Sequence, residues 1–138
     1  MIILDTNVLS ALMHRTPEQN VVAWLDRQPR TSIWTTSITI LEIQFGLQIM
    51  VGGKRRSALG QAFKEVLASI GRRVLPFDTA AAQQAGDLMA ARHKKGRTIE
   101  LRDTMIAGIA LAQRATLATR NTSHFGDIPT PVIDPWVV

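Results

Sequence analysis

Apolar residues in this chain fall into five short β-favouring runs, separated by longer segments with helical spacing. The first run, Ile2-Ile3-Leu4, has no polar alternation, the pattern of a strand covered on both faces by helices. Thr31 to Thr36 is rich in β-branched and aromatic residues, and Val74-Leu75, Thr116-Leu117-Ala118 and Pro131-Val132-Ile133 are shorter runs of the same kind. Strands are therefore expected at 1–4, 31–36, 73–75, 116–118 and 131–133. Val8 to Met13 predicts a short helix, which Thr6 or Asn7 could cap. In Thr16-Pro17-Glu18-Gln19, Thr16 suits an N-cap, Pro17 a first helical position and Gln19 a capping box; that helix should stop before Pro29. Ser37 is expected to cap a helix running from Ile38 to about Val51, so apolar around its circumference that it should be buried on most sides. Gly52-Gly53 ends it, and further helices are expected from Lys54 to about Ile70, from Thr79 to Arg92 behind an Asp78 cap, and from about Asp103 onward. Strands alternating with helices indicate one three-layer α/β domain, residues 1–138, with a mainly parallel sheet.

Three acids punctuate these apolar segments. Asp5 ends the first strand, where ligands of open α/β sheets bind. Glu42 is the one charged residue of the apolar helix, and Gly46 lies one turn beyond it on the same face. Asp103 opens the helix of Met105, Ile106, Ala107, Ile109 and Ala110. Each has an ordinary reading as well: a turn or cap for Asp5, an arginine pair or exposed strip for Glu42, a helix-dipole charge for Asp103.

Composition narrows the chemistry. There are no cysteines, so disulfides, thiolate zinc sites and thiol catalysis are excluded, and three isolated histidines argue against a His-rich metal centre. Sixteen basic residues against eleven acidic ones give a formal charge of +5, which favours an anionic partner, nucleic acid first. No stretch is apolar over the roughly 20 residues a membrane helix needs, and the N-terminus lacks the basic region of a secretory signal, so a cytoplasmic location is expected. If the three acids converge, their repulsion calls for a divalent cation with all-oxygen ligation, magnesium or manganese. An acidic metal pit with a basic rim suits phosphodiester hydrolysis.

The motifs Asp5-Thr6-Asn7, Ser37 with Glu42 and Gly46, Asp103 with Ile106-Ala107 and Ala110, and Ala118-Thr119-Arg120-Asn121 with Phe125 closely resemble the PIN-domain family. Their order and spacing cover almost the whole chain, to Asp134-Pro135-Trp136. Within that family the chain is most similar to VapC-type toxins of prokaryotic toxin–antitoxin pairs, in the FitB-like branch; Val22-Ala23-Trp24-Leu25-Asp26 and Leu75-Pro76-Phe77-Asp78 add to the likeness. The resemblance implies a three-layer α/β/α PIN-like fold and a Mg²⁺- or Mn²⁺-dependent endoribonuclease that hydrolyses RNA with metal-activated water. It implies homodimers, and a small VapB-like antitoxin that blocks the site and binds operator DNA. Carried over by position, Asp5, Glu42 and Asp103 would be acidic metal ligands, with Thr6 or Ser37 orienting them.

One position departs from the family pattern: Asn121 stands where a fourth acid is common. A neutral carbonyl there implies weaker metal affinity or one metal rather than two, and Asp127 is a remote substitute. This departure also supports a different reading, a non-catalytic partner in a dimeric DNA-binding repressor complex. A haloacid-dehalogenase-like phosphatase would want a second Asp two residues after Asp5, where Asn7 stands. Lys54, Arg55 and Arg56, with Lys94, Lys95 and Arg97, are candidate RNA contacts. Arg120 could meet a phosphate, or pair with Asp103 or Asp127.

Overall fold

A computed structural model describes residues 1–138. Its strands are β1 (Ile2–Leu4), β2 (Ile33–Thr36), β3 (Val74–Leu75), β4 (Thr116–Ala118) and β5 (Val132–Ile133). They form one sheet in the order β3-β2-β1-β4-β5, and every pairing is parallel. The helices are α1 (Thr6–Leu12), α2 (Gln19–Asp26), α3 (Ser37–Ile49), α4 (Lys54–Ile70), α5 (Thr79–Lys94) and α6 (Leu101–Gln113).

The unbroken apolar run of β1 is explained by its place at the centre. Ile3 packs with Ile106, Ala110 and Leu117 on one face; Leu4 packs with Val8, Val21 and Trp24 on the other. The chain builds outward from β1 to β2 and β3, then returns to add β4 and β5 on the opposite side. The order therefore reverses between β1 and β4, and the crevice beyond their carboxyl ends is the switch point where such sheets take ligands. Asp5 follows one of these strands and Thr119 the other.

Three local expectations differ from the structure. The α1 cap is Asp5, whose side chain accepts from the Thr6 N–H, rather than Thr6 or Asn7. Residues Thr16 and Pro17 stay outside α2, whose N-cap is Glu18 with no side-chain bond. Burial of Val21 and Trp24 against Leu4 and Ile33 outweighs the local cap signal. The cap of α3 is Thr36, accepting from the Thr39 N–H, and not Ser37.

A larger correction concerns the outer face of α3. Leu41, Phe45 and Ile49, spaced a turn apart, are 54%, 54% and 68% exposed. The helix buries only Ile38, Thr39, Ile43 and Leu47, so its all-round apolarity does not mean enclosure within this chain. No helix is long and apolar enough to cross a membrane.

Helices α5 and α6 form a tight antiparallel pair. At Gly108 an added Cβ would lie 2.5 Å from the Ala81 carbonyl oxygen and 2.8 Å from the Ala85 Cβ. Both obstacles are short and backbone-tied, so the helices must part. Gly108→Ala is expected to cost about 2 kcal/mol, the range of overpacked cores, and to lower the melting temperature by about 6 °C. Thermal denaturation followed by circular dichroism checks this; an unchanged melt would mean that the two helices part without cost.

Candidate active site

Asp5 leaves β1 and is pinned at once. Its N–H donates to the Ala118 carbonyl at the end of β4, at 2.9 Å. Its carboxylate accepts from the Thr6 N–H at 2.8 Å and from Thr119 Oγ1 at 2.7 Å. Thr119 Oγ1 in turn accepts from Asn7 Nδ2 at 3.2 Å and from the Asn121 N–H at 3.1 Å, and Asn7 Oδ1 accepts from the Arg120 N–H at 3.1 Å. The segment 119–121 thus hangs on Asp5 and Asn7.

Burial is the largest influence on Asp5, which is 2% exposed, and it pushes the carboxyl up to about 6. The bonds from Thr119 and the Thr6 N–H pull it down; the charges of Asp103 and Glu42 push it up further. Asp103 and Glu42 are therefore near enough for their charges to be felt at Asp5.

Glu42, in the second turn of α3, is not buried in the apolar layer. Its Oε1 accepts from Thr6 Oγ1 at 2.8 Å, and its Oε2 lies 3.8 Å from Arg102 Nη1. Thr6 Oγ1 also meets Thr39 Oγ1 at 3.1 Å, and Thr39 Oγ1 accepts from Thr36 Oγ1 at 3.4 Å. A row of hydroxyls therefore backs Glu42. Ser37 has no part in it, because its Oγ accepts from the Phe77 N–H at 3.2 Å and ties the start of α3 to the segment after β3. Asp103 is the third residue of α6, where the positive end of the helix favours a carboxylate. Its Oδ2 lies 2.7 Å from His124 Nδ1. Asn121 stands at the rim with an exposed side chain, joined to the site through its N–H.

Each acid leans on a protein partner, and no group of three or more acidic or imidazole side chains is spaced to hold a metal ion as the chain stands. The donor set nonetheless fits a hard divalent cation. It is three carboxylates with hydroxyls and an amide at the rim, and such a cation would offset both the burial that raises Asp5 and the smaller repulsion from Asp103 and Glu42.

The basic candidates separate into two groups. Lys94 and Lys95 are exposed at the end of α5, and Arg97 Nη2 donates to the Ser123 carbonyl at 3.3 Å, beside the turn that carries His124. Lys54, Arg55 and Arg56 open α4 at the end of the α3–α4 hairpin remote from Glu42; Arg56 donates to Gln48 Oε1 at 2.7 Å. Arg120 pairs with neither Asp103 nor Asp127. Its guanidinium lies 5.0 Å over the Trp136 ring, while Asp103 meets His124 and Asp127 is held by Arg92. A surface concavity of about 680 Å³ lies elsewhere, between the end of α1 and α4, lined by Leu12, Met13, Arg15, Arg55, Leu59 and Val66 among others.

Comparison with known families gives a match to the PIN domain over residues 2–129. The chain belongs to the PIN-domain family. It is 41% identical to the VapC ribonuclease Y4jK of Sinorhizobium fredii over 99% of this chain and 98% of that protein. This PIN domain superposes on FitAcB from Neisseria gonorrhoeae with a TM-score of 0.90, 32% identity and full coverage of both chains. Its TM-score with VapBC2 from Rickettsia felis, solved with a DNA fragment from its promoter, is 0.82 at 25% identity, over 97% of this chain and 98% of that one. The fold and family expected from the motifs are those found.

Several residues of the PIN-domain site were not singled out from sequence: Thr119 and Thr39 behind the acids, His124 on Asp103, and Arg102 near Glu42. Thr119 and Asn7 sit inside motifs, but only the strand order shows that they meet.

Proposed function

We propose that this protein is the cytoplasmic toxin of a toxin–antitoxin pair and cuts RNA as a divalent-metal-dependent endoribonuclease. The observation that carries the reading is the place of Asp5, buried at the switch point of the sheet, with Glu42 held beside it by the Thr6 hydroxyl. In a chain of formal charge +5, such an acidic focus is suited to holding a cation against a polyanion.

Asp5, Glu42 and Asp103 would hold Mg²⁺ or Mn²⁺. When bound, the ion neutralises phosphodiester charge and makes water a better nucleophile. The protein supplies orientation. Thr119 and the Thr6 N–H hold Asp5, the Thr6 hydroxyl holds Glu42, and His124 holds Asp103. Asn121 offers a neutral carbonyl at the rim, consistent with a single ion. The test is cleavage of end-labelled total RNA by purified, antitoxin-free protein with Mg²⁺, with Mn²⁺ and with EDTA. Discrete cuts that EDTA removes are expected; a folded protein that cuts nothing with either ion favours the non-catalytic repressor-partner reading instead.

RNA would lie across Lys94, Lys95, Arg97 and Arg120, with Lys54, Arg55 and Arg56 as an outlying contact on the α3–α4 hairpin. Replacing Lys94, Lys95 and Arg97 with Gln should flatten the slope of log affinity against log salt by about 2, at about 0.7 per single-strand phosphate contact. Filter binding across a salt series checks this, and an unchanged slope would make them ordinary solvated surface.

The chain would form homodimers through the apolar face of α3. Leu41, Phe45 and Ile49 make a continuous exposed stripe of the kind that marks a protein interface. Phe45→Glu should convert the dimer to a monomer in light scattering; a dimer that survives the charge uses another surface. A VapB-like antitoxin is the expected partner, and the complex would bind operator DNA, as the related complexes solved with DNA suggest. Co-purification of the two chains and a gel shift with the upstream DNA test this pairing.

A further inference from the structure

We propose that Arg92 is a positioning residue for the acidic site: its buried guanidinium fixes the turn that carries His124, and through His124 the orientation of Asp103. The inference rests on the active-site reading above and deepens it.

Arg92 lies near the end of α5, among polar neighbours His93, Lys94 and Lys95 that face solvent, yet it is 3% exposed. Its Nε and Nη2 donate to the two oxygens of Asp127 at 2.8 and 2.9 Å. Its Nη1 donates to Thr104 Oγ1 at 2.9 Å, and its Nη2 also to the His124 carbonyl at 2.8 Å. The Arg92 guanidinium holds the Asp127 carboxyl below the usual carboxylate range, so this acid is committed to the latch rather than free to join the metal site.

The acceptors decide the role. Thr104 is the residue after Asp103, and His124 is the residue whose ring meets Asp103. One planar fork therefore joins the first turn of α6 to the 3₁₀ turn Thr122–Phe125, the two elements that supply the Asp103–His124 pair. Phe125, fully buried, anchors that turn by apolar packing, which is non-directional. The hydrogen bond to the His124 carbonyl is directional and sets how the turn is rotated about that anchor. Arg97 adds a longer outer bond, 3.3 Å to the Ser123 carbonyl, and its Nη1 lies 3.8 Å from Asp127 Oδ2. A lysine at position 92 can keep the charge beside Asp127 but cannot reach Asp127, Thr104 and the His124 carbonyl together.

The experiment compares wild type, Arg92→Lys, Asp127→Asn and a control, Phe63→Leu, which disturbs the separate core between α1, α3 and α4. Two quantities are measured: Mn²⁺ affinity by electron paramagnetic resonance, and, without metal, solvent exchange of the His124 ring N–H by NMR. Arg92→Lys should weaken Mn²⁺ binding by ~10-fold or more, the usual cost of losing a group that orients a ligand, and should release the ring N–H to fast exchange. Asp127→Asn should move both in the same direction. Phe63→Leu should lower the melting temperature and leave the His124 signal unmoved, which separates positioning from general loss of stability. Folded Arg92→Lys and Asp127→Asn proteins with wild-type affinity and a wild-type His124 signal would overturn the proposal. If Arg92→Lys does not fold, Asp127→Asn decides alone on the same criteria. Wild type that fails to bind Mn²⁺ overturns the metal-site reading instead, and the His124 signal then decides the latch by itself.

Discussion

Asp103→Asn is expected to lower single-turnover RNA cleavage at least about 10³-fold, about 4 kcal/mol of transition-state stabilisation. The change conserves shape and leaves an oxygen to face His124, so the N-terminus of α6 should keep its Glu100 cap and its Arg92–Thr104 bond. What disappears is one full negative charge from a set of three. Asn121 already lacks the fourth, so the site has no spare acid, and Asp127 is held by Arg92. The loss should fall on rate and metal affinity together, with circular dichroism unchanged. Cleavage within tenfold of wild type would remove Asp103 from the machinery and, with it, the three-acid site.

The second large effect is a pH dependence of stability that one residue dominates. Asp5 is raised from 3.8 to about 6 on folding, so the folded protein binds its proton more tightly than the unfolded chain does. Its contribution is fully present below pH 4 and is lost as pH rises through about 6. The interval of about 2 pH units corresponds to of the order of 3 kcal/mol. Metal-free protein should therefore lose stability from this group between pH 4 and 6, and saturating Mg²⁺ or Mn²⁺ at pH 7 should restore much of it. Asp5→Asn removes the charge at neutral pH, but its NH₂ must replace one acceptor that now serves either the Thr6 N–H or Thr119 Oγ1. Losing that bond costs about 1 kcal/mol. The net gain at pH 7 should be about 2 kcal/mol, seen as a rise of several degrees in the melting temperature of a protein that no longer cuts RNA. Denaturation of both proteins from pH 4 to 8 without metal is the check; parallel curves would mean that Asp5 is ionised as easily folded as unfolded.

Much of this protein is legible in order along the chain. The unbroken Ile2-Ile3-Leu4 run belongs to a central strand because only a strand buried on both faces tolerates it. The five strand positions and their parallel sense follow from alternation with helices, and Asp5, Glu42 and Asp103 stand out because a charge beside apolar segments needs a reason. Other features had no local signal. Whether the Ser37 or the Thr6 hydroxyl serves Glu42 depends on which segment α3 packs against, and Phe77 claims Ser37 from 40 residues away. The apolar circumference of α3 reads as burial, since periodicity cannot tell a face covered by its own chain from one left for a partner. Thr119 and Asp5 meet across 114 residues of sequence, and Arg92 and Asp127 across 35. By itself, the sequence determined which segments are strands or helices, the class of sheet they build and which acids to suspect, because hydrophobic spacing and turn chemistry are local. Only the tertiary structure decided the strand order that makes a crevice at β1 and β4, the hydrogen-bond partner of each acid and the buried arginine behind Asp103, because those pairings are set by which distant segments the core brings into contact.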